Sequence, residues 1–184
     1  IDSILDLVWS EIHGEDGLPR GTVCDPAVGC GYFPLRLAER LKKRHGLEKA
    51  RRWAAESLYG IDKDAGAVFL TRALLWLVLS DRRSEFLPGA SHFPCGDALL
   101  GPCFTERVRV SADAAEKGLD WRTSFPDAAR RGGFDAIIGN PPYEALTGFS
   151  RHPERRALAR APRQGGHYRG SPSGQINLYR GFLE

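Results

Sequence analysis

The residues with the clearest chemical meaning are Asn140, Pro141, Pro142 and Tyr143, which end the apolar run Phe134 to Gly139. The exocyclic amine of a planar base such as adenine is a poor nucleophile, because its lone pair is delocalised into the ring. Two acceptors aimed at its two N–H bonds push the nitrogen toward tetrahedral geometry and localise that pair for attack on a methyl sulfonium. The Asn140 side-chain oxygen and the Pro141 carbonyl are two such acceptors. Consecutive prolines fix φ at both positions, and Pro141 also restricts Asn140, so the acceptors are preorganised. Tyr143 offers an aromatic face to a base taken out of its stack. No general base is required, since the proton can leave after the methyl has moved. Taken alone, the four residues also read as a tight strand-end turn begun by a polar side chain.

A second group of residues suits a nucleoside. Gly29-x-Gly31 lets the backbone turn tightly and approach a ligand closely. Pro34 stands where the dinucleotide fingerprint has its third glycine, which disfavours NAD and FAD, and no GxxxxGK[ST] P-loop is present. Asp62 ends a strand-like segment, where a carboxylate can accept hydrogen bonds from both hydroxyls of a ribose. Asp25 precedes the glycines and suits a cationic ammonium. The stretch Asp25–Phe33 carries no basic side chain, which argues against a phosphate. Adenosine with an amino-acid tail fits better, and the cofactor expected is S-adenosylmethionine.

These residues need elements to hold them. Ile4, Leu5, Val8, Trp9 and Ile12 have helical spacing. GTVCDPA reads as a first strand and LRLAERLKKRHG as a helix with Pro34 at its first position and Gly46 at its end. SLYGID reads as a second strand. Asp64 is the expected N-cap of AGAVFLTRALLWLVLSD, a helix apolar on most sides and therefore expected to be well buried. FPCGDALL reads as a third strand with the loop leaving it, residues 101–132 as irregular, FDAIIGN as a fourth strand and INLYRGFLE as a final helix. Alternating strands and helices predict an α/β, Rossmann-like fold, a mainly parallel sheet with helices on both faces. In such sheets ligands bind beyond the carboxyl ends of the strands. Asp25, Asp62, Asp97 and Asn140 all fall there.

Composition narrows the class. With 184 residues, 42% of them hydrophobic and 27% charged, the chain is expected to form one globular core. No apolar run reaches the ~18 residues of a membrane span, and no basic segment followed by an apolar one opens the chain. A cytoplasmic protein with no membrane partner is the expectation. The net charge of +3 is small, but two segments are strongly basic. Arg36 to Arg52 reads either as a solvated face or as a phosphate-contacting one. Residues 151–169, with Arg151, Arg155, Arg156 and Arg160, are rich in arginine and glycine and read as a loop that contacts nucleic-acid phosphates. Cys24, Cys30, Cys95 and Cys103 form no zinc pattern and are expected to be reduced and mostly buried; no metal site is expected.

In order along residues 20–143, DPAVGCGYF, YGID, CGDAL and FDAIIGNPPY resemble the N6-adenine DNA methyltransferases of restriction-modification systems. The likeness is nearest to the type IIG enzymes that fuse cleavage and methylation, and to type I modification subunits. The linker GLDWRTSFPDAARRGG resembles the former in particular. The resemblance implies the class I methyltransferase fold and transfer of a methyl group from S-adenosylmethionine to the adenine N6 of DNA. It implies that Asp25, Pro26, Ala27, Gly29 and Gly31 form the cofactor loop and that Asp62, with Lys63 beside it, binds the ribose. It implies that Asp97 and Ala98 hold the cofactor's adenine, and that Asn140 to Tyr143 form the catalytic turn, with Asn140 also beside the cofactor. Cys30 departs from the family's smaller residue.

The implied partners are double-stranded DNA with a flipped adenine, and a specificity subunit or fused nuclease and target-recognition domains. With no methionine anywhere, residues 1–184 are expected to be the methyltransferase core of a longer protein. The same turn also serves enzymes that methylate a glutamine amide in protein or a base in RNA. A non-catalytic nucleic-acid-binding module is the reading from another class.

Overall fold

The computed structural model describes residues 2–14, 18–81, 89–100, 118–142, 145–146 and 176–177. Its contacts divide the chain into two units. The first comprises Ile1–Cys95 with Arg122–Asn140, and the second Gly96–Trp121 with Pro141–Glu184.

The first unit is built on a parallel sheet of order β2-β1-β3, with β1 Val23–Asp25, β2 Leu58–Gly60 and β3 Ala136–Ile137. β1 is the central strand and is buried along its length. Register is set at its amino end by Thr22 and Asp135. The Thr22 amide and hydroxyl both donate to Asp135 Oδ2, at 2.7 and 2.8 Å, and the Asp135 amide donates back to Thr22 Oγ1 at 3.2 Å.

Helix α1 (Asp2–Ile12) buries Leu5, Val8, Trp9 and Ile12, the i, i+3, i+4, i+7 face that its sequence spacing predicts. α2 (Tyr32–His45) buries Phe33, Leu37, Ala38 and Leu41, and stops at Gly46, whose φ of 88° is readily adopted only by glycine. Pro34 is the third helical residue rather than the first. α3 (Leu47–Ser57) is an element that the sequence reading passed over. Its buried Ala50, Trp53, Ala54 and Ser57 have the spacing of a single face.

α4 (Ala65–Leu79) begins as expected, with Asp64 Oδ1 accepting from the Gly66 and Ala67 amides at 2.8 and 3.3 Å. It is not buried all round. Val68, Thr71, Leu75 and Leu79 face the core, while Phe69, Leu70 and Leu77 are exposed, Phe69 at 72%. Its carboxyl end is held by two cations of the basic segment. Lys42 Nζ donates to the Val78 carbonyl at 2.6 Å, and Arg51 Nε donates to Leu79 O at 2.5 Å. Arg40 pairs with Asp6, and both Arg40 and Arg44 lie over the Trp9 ring. Half of the basic run is therefore structural, serving helix ends and ring faces rather than phosphates.

Of the expected third strand, the first unit holds one parallel bridge, Cys95 with Asp62, which continues the sheet direction past β2. Pro94 and Gly96 on either side explain the brevity: one lacks the amide a ladder needs and the other adds no side chain to pack. A turn at Ala90–His92 stacks His92 on Tyr59 with ring centroids 4.1 Å apart, and Tyr59, Phe125 and Phe134 close an aromatic cluster. Within residues 118–132, read as irregular, the chain forms α5 (Trp121–Ser124) and α6 (Pro126–Arg131), the latter with proline at its start and Gly132 at its end.

In the second unit, Asp97 bridges Gly118, and the Leu119 amide donates to the Asp97 carbonyl at 3.0 Å. β4 (Ala145–Leu146) pairs antiparallel with β5 (Ile176–Asn177). Ile176 and Asn177 are thus extended, not the start of a helix; a β-branched residue beside asparagine is a weak helix opening. Cys24 is buried as expected, but Cys30, on the turn after β1, and Cys95, at the bridge to Asp62, are exposed; Cys103 lies outside the described residues.

Candidate functional site

The carboxyl edge of the first unit's sheet gathers Asp25, Asp62 and Asn140, three of the four expected strand-end positions. Asp25 ends β1 and is only 2% exposed. Its Oδ1 accepts from the Ala27 amide at 3.0 Å, across a turn that contains the buried Pro26. β3 runs past β1 with the Ile138 amide on the Cys24 carbonyl at 3.0 Å, which brings Gly139 against Asp25. A Cβ added to Gly139 would stand 2.9 Å from Asp25 Oδ1. The backbone that leads into Asn140 therefore touches the buried acid directly, and only glycine permits that approach. Asn140 follows and is exposed.

Burial pushes the Asp25 carboxyl up to about 7; the Ala27 amide opposes this, and the nearby Asp62 charge adds to it. A carboxyl raised in this way is half-charged near neutrality and regains its full charge when a cation comes to face it.

The loop after Asp25 is tied to the end of β2. The Ile61 amide donates to the Asp25 carbonyl and the Val28 amide to the Ile61 carbonyl, each at 2.8 Å. Gly60 lies so close under Val28 that a Cβ there would meet it at 2.8 Å. Asp62 Oδ2 accepts from the Gly29 amide at 2.8 Å, and Oδ1 from the Asp64 amide at 2.9 Å. Each carboxylate oxygen has a second acceptor direction, so Asp62 can organise the loop and still receive two hydroxyls. Lys63, the next residue, is exposed, and its carbonyl accepts from the Cys95 thiol at 3.5 Å. Gly29 and Gly31 adopt the left-handed φ of 52° and 82°. A Cβ on Gly29 would meet nothing within 4 Å, so the loop presents open space on that side.

Thr71 of α4, a residue that sequence reasoning missed, is fully buried and donates its hydroxyl to the Gly29 carbonyl at 2.8 Å. A threonine 42 positions from its partner carries no local signal.

The second unit holds Asp97 and Ala98. Asp97 Oδ1 accepts from the Leu99 amide at 2.9 Å, and the Trp121 indole donates to the Ala98 carbonyl at 2.9 Å. Pro141 is half-buried and Pro142 exposed. Tyr143, Arg151, Arg155, Arg156 and Arg160 lie outside the described residues.

Residues 56–184 match the model of the Eco57I restriction-modification methylase family. No curated protein matches the chain. Among solved structures, the chain is similar to DrdV in a complex with DNA, at 21% identity and a TM-score of 0.56, over 90% of this chain and 16% of that one. It is similar to the type ISP restriction-modification enzyme LlaGI, a nuclease-deletion mutant with a DNA substrate mimic, at 15% and 0.55, over 97% and 15%. It is also similar to the ATP-dependent type ISP enzyme LlaBIII bound to DNA, at 16% and 0.58, over 96% and 12%. At these identities the likeness is one of fold, and the chain spans less than a fifth of each solved chain.

Proposed function

The chain belongs to the Eco57I restriction-modification methylase family, and from that premise we propose that it methylates the N6 amino group of adenine in DNA, with S-adenosylmethionine as donor. The observation that carries the reading is the contact of Gly139 with Asp25: the turn bearing Asn140 leaves β3 against the acid of the glycine loop. Family membership and the DNA complexes formed by the similar solved chains support DNA as the partner.

The loop fits the cofactor. It carries no basic side chain that would select a phosphate, it opens at Gly29, and its acid is buried where a cation would restore its charge. Asp25 would hold the ammonium, with Pro26, Ala27, Gly29 and Gly31 shaping the wall. Asp62, with Lys63 beside it, would hold the ribose, and Asp97 and Ala98 the adenine of the cofactor. S-adenosylmethionine, when bound, supplies an electrophilic methyl on sulfur.

Asn140 Oδ1 and the Pro141 carbonyl would each accept one N–H of the target amine and turn its lone pair out of the ring. Pro141 and Pro142 keep both acceptors still. Tyr143 would stack on the flipped adenine, and Arg151, Arg155, Arg156 and Arg160 would contact DNA phosphates. Residues 1–184 would act as the methyltransferase core beside target-recognition and nuclease parts or a specificity subunit, in the cytoplasm. Among the described residues no helix is long and apolar enough to cross a membrane.

The test offers labelled S-adenosylmethionine with adenine-containing duplex DNA, ribosomal RNA or a release factor. Label is expected in DNA as N6-methyladenine, and label confined to RNA or protein overturns the reading. Asn140→Ala is expected to lower transfer by about 10²–10³-fold, the scale of losing one preorganised polar group, while cofactor binding persists. Near-normal turnover in that variant would remove Asn140 from the chemistry.

A further inference from the structure

The Gly29 peptide is held from both sides by side chains that follow β2 in sequence. Its amide donates to Asp62 Oδ2 and its carbonyl accepts from Thr71 Oγ1, both at 2.8 Å. Between those ties Gly29 has a φ of 52°. A glycine populates the left-handed region about as readily as others, so its own preference does not select this loop shape. External ties must.

Thr71 is an unusual residue to supply one. It lies on the core face of α4 among Val68, Leu75 and Leu79, and is fully buried. A buried hydroxyl there costs stability unless it is partnered. A helical threonine commonly returns its hydroxyl to a carbonyl one turn back; this one donates to the glycine loop. Its side chain also fills the space beside Gly31, where a Cβ would meet Thr71 Cγ2 at 2.7 Å and Oγ1 at 2.8 Å.

We propose that Thr71 is a positioning residue for the cofactor loop, its hydroxyl pinning the Gly29 carbonyl from α4, so that the loop holds its ligand-accepting shape before any ligand arrives. The proposal rests on the reading of that loop as the S-adenosylmethionine site.

Two substitutions separate its parts. Thr71→Val keeps the shape and removes the hydroxyl; Thr71→Ser keeps the hydroxyl and removes the methyl. In the intact protein, Thr71→Val is expected to weaken S-adenosylmethionine binding about tenfold by calorimetry, since Gly29 O is left without its donor. Saturating the cofactor should restore kcat. The Gly31 amide, which donates to Val28 O at 2.9 Å, should exchange its hydrogen faster. Thr71→Ser should stay near wild type in all three measurements.

Wild-type affinity in Thr71→Val overturns the proposal. So does a Thr71→Ser variant that falls as far as Thr71→Val, because packing alone would then be at work. A wild-type protein that fails to bind S-adenosylmethionine overturns the function proposed above, while the exchange rate at Gly31 still decides whether Thr71 pins the loop.

Discussion

Two aspartates sit at opposite ends of the same strand pair, and their surroundings drive them in opposite directions. Asp135, at the amino end of β3, is exposed and accepts two hydrogen bonds from Thr22, which lower its carboxyl below the usual range. Asp25, at the carboxyl end of β1, is buried with a backbone amide on one oxygen and a second acid nearby, and is raised to about 7. Asp135 is satisfied by its own chain and fixes the register. Asp25 is left short of positive charge, and what it lacks, a ligand can supply. A carboxyl raised by burial at the carboxyl end of a strand is a candidate ligand-facing group, whereas one lowered by hydrogen bonds from its own fold is accounted for by the fold.

The largest expected effect breaks this contrast at Asp25. Its folded pKa stands above the ordinary 3.8, so the folded chain binds this proton more tightly than the unfolded chain. The free protein therefore loses stability as pH rises from about 4 to 7, while binding of a cationic cofactor strengthens through the upper part of that window. Asp25→Asn should flatten both profiles. At pH 8 it should raise the melting temperature and weaken S-adenosylmethionine binding by about 3–5 kcal/mol, the scale for removing one partner of a buried pair. An unchanged affinity would make Asp25 as structural as Asp135.

A smaller effect is expected at Asp62, which stands between the two cases: it organises the loop and retains acceptor directions. Asp62→Ala should weaken cofactor binding by about 1.5–3 kcal/mol, the scale of charged hydrogen bonds; titration calorimetry reads it, and an unaltered dissociation constant takes Asp62 out of the site.

The smallest effect is at Asp135. Its lowered pKa contributes stability above the unfolded value that disappears as pH falls through the folded one. Asp135→Asn should cost a few tenths to about 1 kcal/mol at pH 7, discounted for its exposure, with cofactor affinity untouched. In denaturant melts the gap between variant and wild type at pH 7 should narrow by pH 3. A cofactor defect in this variant would mean that register and ligand site are not separable.

The sequence made the site more legible than the scaffold. Asp25, Asp62 and Asn140 could be picked out because each follows an apolar, strand-like run, and Gly29 and Gly31 because of their Gly-x-Gly spacing. Asp64 was readable as a cap because capping is local. α3 carried a readable pattern in Ala50, Trp53, Ala54 and Ser57, but its lysine and arginines drew the eye to charge. The short bridge at Cys95 looked like a strand because apolar content says nothing of ladder length. Asp135 and Thr71 were not readable at all. Their partners lie 113 and 42 positions away, and only the folded chain brings such groups together.

The outer stripe of α4 has a practical consequence at the bench. Phe69, Leu70 and Leu77 present apolar side chains to water, and exposed groups of that kind make concentrated solutions cloud and columns retain protein. Handled on its own, the chain should foul through this helix. Phe69, the most exposed of the three, is the position to change to lysine before crystals or spectra are attempted.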